Sequence, residues 1–293
     1  MTWDVAVAGT LHIDDITTPH GRAVSHGGSA AYFALAAARY APVHVNGITG
    51  AETARWYEML FGESGIDPCG LAVGDTGTTR WHAVHDFAQW VTASESVEPG
   101  CDSEWAGTLS QHSREAEVLF LASFEPSKQR TARAESGARL VGFDSMVSFI
   151  TAAPQEITQL LSQCDVAYFN QAELLALTRD PDWRRAARRL CDAYGVGAVV
   201  VKRGPAGAAC VSSRGVIEEP AVSIDVVDPT GAGDALAGGF LGYCATVERA
   251  DDHTYQRALR EGIRCASMAL TSFGLDGLRC AKAPYGAPTS GDV

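Results

Sequence analysis

Residues 228–240, DPTGAGDALAGGF, combine the residue types and spacing that could do chemistry in this 293-residue chain. They follow an apolar, β-branched run, 222–227, that predicts a strand, and open a run rich in Ala, Leu and Phe that predicts a helix. Gly231 and Gly233 let backbone amides approach a ligand with no side chain in the way. The first amides of a helix lack internal partners and sit at the positive end of its dipole. Gly231, Ala232 and Gly233 therefore predict a cradle for a phosphate-like anion. Asp234 beside such a cradle would only repel the ligand if binding were its task. It fits a base that takes a proton from a hydroxyl attacking phosphorus. A G-x-G-x-x-G reading fails on spacing, because the next glycine after Gly233 is Gly238. A Walker reading fails because no Gly-Lys pair exists in the chain. An ordinary helix start would also accept Gly and Asp. Strand, glycine pair, Asp and helix occurring together favour the catalytic reading.

Other segments must supply a substrate site and a place for the phosphate donor. Residues 3–8 predict a short apolar strand, followed by Gly9 and then Asp14. An ionised carboxylate at the mouth of a strand can accept from sugar hydroxyls; a turn Asp would read the same. Gly27 and Gly28 precede an Ala-rich helix, 30–40, which is apolar on nearly every side and so buried. Apolar runs at 43–48, 117–122, 139–144, 165–170 and 198–202 alternate with helical stretches. That pattern predicts a mostly parallel sheet covered on both faces, with ligands at the carboxyl ends of its strands. Asn170 and Glu173 lie at such an end. They suit an N-cap with an acidic first turn, and equally a position near a hydrated Mg²⁺. Lys202, Gly204 and Gly207 close the last strand with a turn. Residues 78–91 predict a strand with aromatic or apolar residues on both faces, including Trp81, Phe87 and Trp90. It reads either as part of a β lid that also meets a second subunit, or as an ordinary buried strand. His82 and His85 do not face one way on a strand, so no metal site is expected there. The arginines between 184 and 189 read as a solvated helix face, and 284–293 as a frayed tail.

The signature DPTGAGD with its Ala/Gly-rich helix resembles the C-terminal motif of the ribokinase-type (pfkB) carbohydrate kinases. The resemblance runs from about residue 3 to about residue 278. It implies a ribokinase-like α/β three-layer sandwich with a central, mostly parallel sheet. The expected organisation is a single kinase domain over 1–293, with lid segments near 10–26 and 76–93. It implies transfer of the ATP γ-phosphate to a hydroxyl of a sugar-like molecule, with ATP and Mg²⁺ as cofactors. By the same resemblance, Asp234 is the catalytic base, and the amides of the 231–234 turn form the anion hole. Asp14 becomes a substrate ligand in a G-x-x-N-x-D pattern that carries His12 in the Asn place. Gly27 and Gly28 become the substrate-touching glycine pair, with Tyr32 where the family usually has Asn. Asn170 and Glu173 match N-x-x-E, which helps place Mg²⁺ and phosphates. Lys202, Gly204 and Gly207 match the nucleotide loop K-x-G-x-x-G. Asp228 is implied as a holder of a monovalent cation, as in some relatives. A nucleoside kinase of the same family and a non-catalytic sugar or nucleotide sensor are the rival readings.

Composition narrows the partners. Apolar residues make up 46% of the chain, enough for a sizeable core. No apolar run reaches membrane-span length, and the start is not a signal peptide. Eight cysteines without a C-x-x-C pair argue against zinc and disulfides, and suggest reduced thiols in a cytoplasm. Net charge is −12, and residues 1–127 carry nearly all of it, with 16 acids, 5 Arg and no Lys. Nucleic acid and anionic membranes are disfavoured as partners. The predicted substrate elements hold Arg22 and Arg80 against Asp14, Asp15 and Asp86. The expected acceptor is therefore uncharged or carries an amine, unless Lys128 or Arg203 folds into the site. Tyr32, Trp81 and Phe87 predict an apolar platform for it, and Trp81, Phe87 and Trp90 a homodimer through the lid.

Overall fold

The computed structural model describes residues 2–87, 91–248 and 252–280. Its strands are β1 (Val5–Ala8), β2 (Ile13–Thr18), β3 (Gly21–His26), β4 (Val43–Gly50), β5 (Asp67–Gly74), β6 (Arg80–Asp86), β7 (Val91–Glu98), β8 (Val118–Leu121), β9 (Leu140–Asp144), β10 (Val166–Asn170), β11 (Ala198–Lys202), β12 (Ala208–Ser212) and β13 (Gly215–Glu219). Nine of them form one sheet in the order β13-β12-β11-β10-β9-β8-β1-β4-β5. Every pairing from β11 to β5 is parallel; only the β12–β13 end is antiparallel. β1, β8 and β12 are buried throughout, as expected of strands covered on both faces. Two apolar clusters flank the sheet. One is built around Phe33, Phe120, Tyr168 and Phe240, the other around Leu119, Phe143, Phe169 and Trp183.

Helix Ser29–Ala37 is buried along its whole length. It packs on helix Ala232–Cys244 through glycines that leave no room for a side chain. A Cβ on Gly238 would stand 2.4 Å from the Phe33 carbonyl oxygen, and one on Gly242 would stand 3.0 Å from Ala37 Cα. Gly239 meets helix Asp252–Ala269 in the same way, 2.7 Å from the Glu261 carbonyl oxygen. The small residues after Asp234 thus let three helices approach closely, which fixes the helix start that carries the signature loop.

A second sheet, β3-β2-β6-β7, stands apart from the first. It is built from 13–26 and 80–98. Alternation puts Asp14, Ile16, Trp81, Ala83 and His85 on one face, and Asp15, Thr17, His82 and Val84 on the other. The second face is polar: Arg22 donates to Asp15 at 2.7 Å from its Nε, and His82 approaches Asp15 at 3.3 Å. Of the aromatic or apolar residues expected on both faces, β6 carries Val84 on this second one, beside polar neighbours. Trp90 lies outside the described residues.

Residues 222–227 do not form the expected strand. The hairpin β12–β13 takes that edge of the sheet, and the segment has no strand beside it. Its Val227 amide donates instead to the Leu270 carbonyl at 2.8 Å, beyond the end of helix Asp252–Ala269.

Candidate active site

The carboxyl ends of β1, β8, β9, β10 and β11 all point to one edge of the sheet, and the signature loop lies across them. Gly231 caps helix Ala232–Cys244 with φ 71°, a left-handed conformation that favours glycine. A Cβ there would also stand 2.2 Å from the Tyr32 ring. The turn separates two cavities. The first, of about 640 Å³, is lined by Asp14, Tyr32, Trp81, Thr230, Gly231 and Asp234 among others. The second, of about 520 Å³, is lined by Lys202, Gly204, Gly207, Pro229, Ala232 and Gly233 among others. Loop residues thus alternate between the two sides, and the helix start is the wall they share.

Asp234 lies in the first turn of its helix and faces the first cavity. Burial pushes its carboxyl well above the ordinary range, and Asp144 adds to the effect. Asp14 is 2% exposed, and burial pushes it up to about 7. Its Oδ2 fills the place that a Cβ on Gly27 would need, only 1.8 Å away. Gly28 has φ 93°, and a Cβ on it would stand 2.4 Å from the Thr10 carbonyl oxygen. The glycine pair is therefore required by the approach of residues 10–14. Tyr57 pins both strands of this corner, donating to the carbonyls of His12 at 2.7 Å and Gly27 at 2.9 Å. The Tyr32 hydroxyl is buried without a hydrogen-bond partner.

Sequence reasoning missed five residues of the site. Asp102 meets His12 Nε2 at 2.6 Å through Oδ2, while its Oδ1 is buried and unpartnered at the cavity wall. Trp105 and Phe149 line the same cavity. His85, from β6, is within 3.1 Å of the Thr230 hydroxyl and so ties the small sheet to the signature loop. Asp144 ends β9 and receives Lys202 Nζ at 3.0 and 2.8 Å. A carboxylate closing an apolar strand, as Asp144 does in LVGFD, was the available signal.

Lys202 stands beside the cradle, 3.3 Å from where a Gly233 Cβ would be. Burial alone would lower its pKa, but Asp144 and Glu173 outweigh that and raise it, so the ammonium keeps its charge. Asn170 and Glu173 form a capping box. Asn170 Oδ1 accepts from the Glu173 amide at 2.8 Å, and Glu173 Oε2 accepts from the Asn170 amide at 2.7 Å. Glu173 Oε2 also lies 3.8 Å from Lys202 Nζ. Asp228 is 1% exposed; its Oδ1 accepts from the Thr230 amide at 2.9 Å, and its Oδ2 is buried with no partner. Gly204 and Gly207 both have positive φ, and a Gly207 Cβ would stand 2.1 Å from the Glu219 carbonyl oxygen.

Both candidate cations, Lys128 and Arg203, are already engaged. Lys128 lines the first cavity, but its Nζ donates to the Asp102 carbonyl at 2.8 Å and pairs with Glu125 at 3.0 Å. Arg203 borders the second cavity, bonded to Glu218 at 2.6 Å and stacked on Trp183. Among the described residues, no helix is long and apolar enough to cross a membrane.

The chain is similar to known kinases. A cytidine kinase of Thermococcus kodakarensis is 29% identical over 252 residues, covering 81% of this chain and 87% of its own. An ATP-dependent ribose-1-phosphate kinase of Halopiger xanaduensis is 28% identical, covering 96% of this chain and 92% of its own. The crystal structure of aminoimidazole riboside kinase from Salmonella enterica, complexed with aminoimidazole riboside and an ATP analog, superposes with a TM-score of 0.74. It is 22% identical and covers 94% of this chain and 96% of that one. Residues 11–279 match the family described as pfkB family carbohydrate kinase. The chain belongs to that family, with its ribokinase-like fold, and is an ATP-dependent phosphotransferase with an alcohol acceptor on a sugar-like molecule.

Proposed function

We propose that the first cavity holds a neutral hydroxyl-bearing acceptor, that the second holds ATP, and that phosphoryl transfer runs across the 231–234 turn. The observation that carries this reading is the shared wall: Gly231 and Asp234 border one cavity, Ala232 and Gly233 the other. Asp234 takes the proton of the attacking hydroxyl. The amides of Ala232, Gly233 and Asp234 lie at the helix start, where Ala232 makes only a long bond of 3.4 Å to the Pro229 carbonyl, and they hold negative charge on the transferring group. Lys202 adds positive charge on the donor side. Mg²⁺–ATP supplies the phosphoryl group and neutralises its charge when bound. Both Glu173 oxygens are engaged by Asn170, so Glu173 fits a Mg²⁺ contact through coordinated water better than a direct one. The orphaned, buried Oδ2 of Asp228 fits a monovalent cation beside the loop. The chain is read as one kinase unit with the four-stranded sheet as its lid.

Acceptor charge follows from the lining. Asp14, Asp102, Glu125 and Asp234 border the cavity, and Lys128 is bound among them. An acceptor carrying a phosphate would meet repulsion in a partly desolvated space. Trp81, Trp105, Phe124 and Phe149 add flat apolar surface, which favours a nucleoside over a small pentose as the specific acceptor. ATP consumption over ribose, fructose, cytidine, adenosine, aminoimidazole riboside and ribose 1-phosphate tests this. The highest kcat/KM is expected on a nucleoside or riboside. A higher value on the sugar phosphate than on every neutral acceptor rejects it.

The exposed face of the lid carries Val24 at 58% and Val84 at 42% exposure. We assign this face to a homodimer contact. Sedimentation should show a dimer that Val84→Asp converts to monomer, and a wild-type monomer at micromolar concentration refutes the assignment. The buried thiols, Cys164, Cys191, Cys210, Cys244 and Cys265 among them, suit a reducing compartment such as the cytoplasm.

A further inference from the structure

At the opposite end of the large sheet, away from both cavities, four potential metal ligands converge. His44 lies near the start of β4, Asp67 and Cys69 at the start of β5, and His112 in helix Gln111–Glu115. One ligand atom from each lies within 4.8 Å of the other three. Asp67 Oδ2 is the hub, 2.9 Å from His44 Nδ1 and 3.0 Å from His112 Nδ1. Cys69 Sγ lies 3.8 Å from His112 Nδ1. None of the four residues lines either cavity.

The surroundings are built rather than accidental. His44 and Asp67 are paired in register, and β5 then carries one extra residue before Gly70 meets Asn46. Such a bulge re-aims side chains. Buried Asn46 ties the third element in: its Oδ1 accepts from the Ser110 amide at 2.8 Å and its Nδ2 donates to Ser113 Oγ at 2.8 Å. Ser110 caps the helix that bears His112, and receives the Cys69 thiol at 3.1 Å. His44 is 12% exposed, and its far nitrogen, Nε2, lies 3.4 Å from Asp4 Oδ2. That carboxylate can accept a hydrogen on Nε2 once a metal takes Nδ1 from Asp67, which is the tautomer a ligating imidazole needs.

We propose that His44, Asp67, Cys69 and His112 form a tetrahedral zinc site that staples β4, β5 and helix Gln111–Glu115 together. Two imidazole nitrogens, a carboxylate and a thiolate suit Zn²⁺ and not the hard cations Mg²⁺ or Ca²⁺. Zinc ligand distances of roughly 2.0–2.3 Å put neighbouring ligand atoms about 3.5 Å apart, so each atom here shifts by about 1 Å or less. Asp67 and the Cys69 thiolate balance the charge of the ion. Binding releases the thiol proton to solvent, and each imidazole binds through Nδ1 as the neutral tautomer with its hydrogen on Nε2. The absence of C-x-x-C pairs argued against zinc, but that argument does not reach a mixed ligand set gathered from three elements.

The test uses the full-length protein, freed of metal with a chelator and titrated with Co²⁺ in the absence of nucleotide. One equivalent should bind, with a thiolate-to-cobalt charge-transfer band and the strong visible bands of a tetrahedral centre, and Zn²⁺ should displace it. Cys69→Ser should abolish the charge-transfer band, and His112→Ala should weaken Zn²⁺ binding by about 100-fold or more. Both side chains are exposed, so neither change threatens the fold. Zn²⁺ should raise the melting temperature of the wild type and not of either variant. A spectrum with oxygen ligands only, or a Cys69→Ser protein that binds Co²⁺ as tightly as the wild type, overturns the proposal.

Discussion

Asp234 must be ionised to take a proton, yet burial and the nearby carboxylates of Asp144 and Asp14 raise its pKa. Activity should therefore fall as pH drops through that raised value, with the acid limb of kcat/KM above the ordinary carboxylate range of about 4. Asp14→Asn removes one of the like charges, so the limb should move to lower pH even though turnover falls. An unmoved limb would mean that Asp234 does not set it. Asp234→Asn should lower kcat by about 10²- to 10⁴-fold while leaving ATP affinity near that of the wild type, measured by calorimetry. A variant that keeps wild-type turnover places the base elsewhere. At this scale the sequence exposed groups whose spacing is local. Asp234, Gly231 and Gly233 sit in one turn and could be read together. Asp102 and His85 were not legible, because their roles depend on partners far away in the chain: Asp102 meets His12, and His85 meets Thr230. Asn170 and Glu173 kept both of their readings open, and the capping box is present. The cap uses the same oxygens that a metal contact would need.

Helix Ala232–Cys244 links the signature turn to the core, and its glycines are packing positions. Gly238 faces the backbone of helix Ser29–Ala37, whose N-cap, Gly28, lines the first cavity. Gly238→Val should force the two helices apart and cost about 2–3 kcal/mol or more, seen as a lower melting temperature. It should also raise KM for the acceptor more than for ATP, because the displaced helix carries Tyr32. Equal melting temperatures would show that the two helices are not in tight contact. The elements themselves were largely readable. Continuous apolar runs such as 198–202 gave the buried parallel strands, and the all-round apolar 30–40 gave the buried helix. Residues 222–227 misled because β-branched composition reports a preference for extended backbone, not the presence of a strand to pair with. Their apolar side chains are used all the same, as part of the wall of the second cavity. β3 and β7 escaped because half or more of their residues face water, and β13 because none of its residues is buried, which removes the hydrophobic signal.

The molecule is divided by chemistry as well as by shape. Its acidic first half supplies Asp14, Asp102 and the whole small sheet, and its second half supplies Lys202, Arg203 and the glycine turns. Acceptor and donor should therefore be felt by different parts of the chain. β2 and β6 share the face that bears Asp14, Trp81 and His85, and His85 reaches the Thr230 hydroxyl in the signature loop. An acceptor lodged against Asp14 and Trp81 would hold that face down on the loop. ATP would rest on the turn after β11 and on residues 221–226, remote from the small sheet. Hydrogen exchange can separate the two. A preferred acceptor alone should slow exchange of amides in β2 and β6, and ATP alone should slow it in 202–207 and 221–226. Both ligands together should protect the small sheet more than the acceptor does alone, because His85 couples the sheet to the loop that both ligands touch. His85→Ala should remove that extra protection while leaving each single-ligand pattern in place. If the acceptor leaves the small sheet unprotected, the sheet does not act as a lid. If His85→Ala leaves the extra protection intact, the coupling runs through another contact.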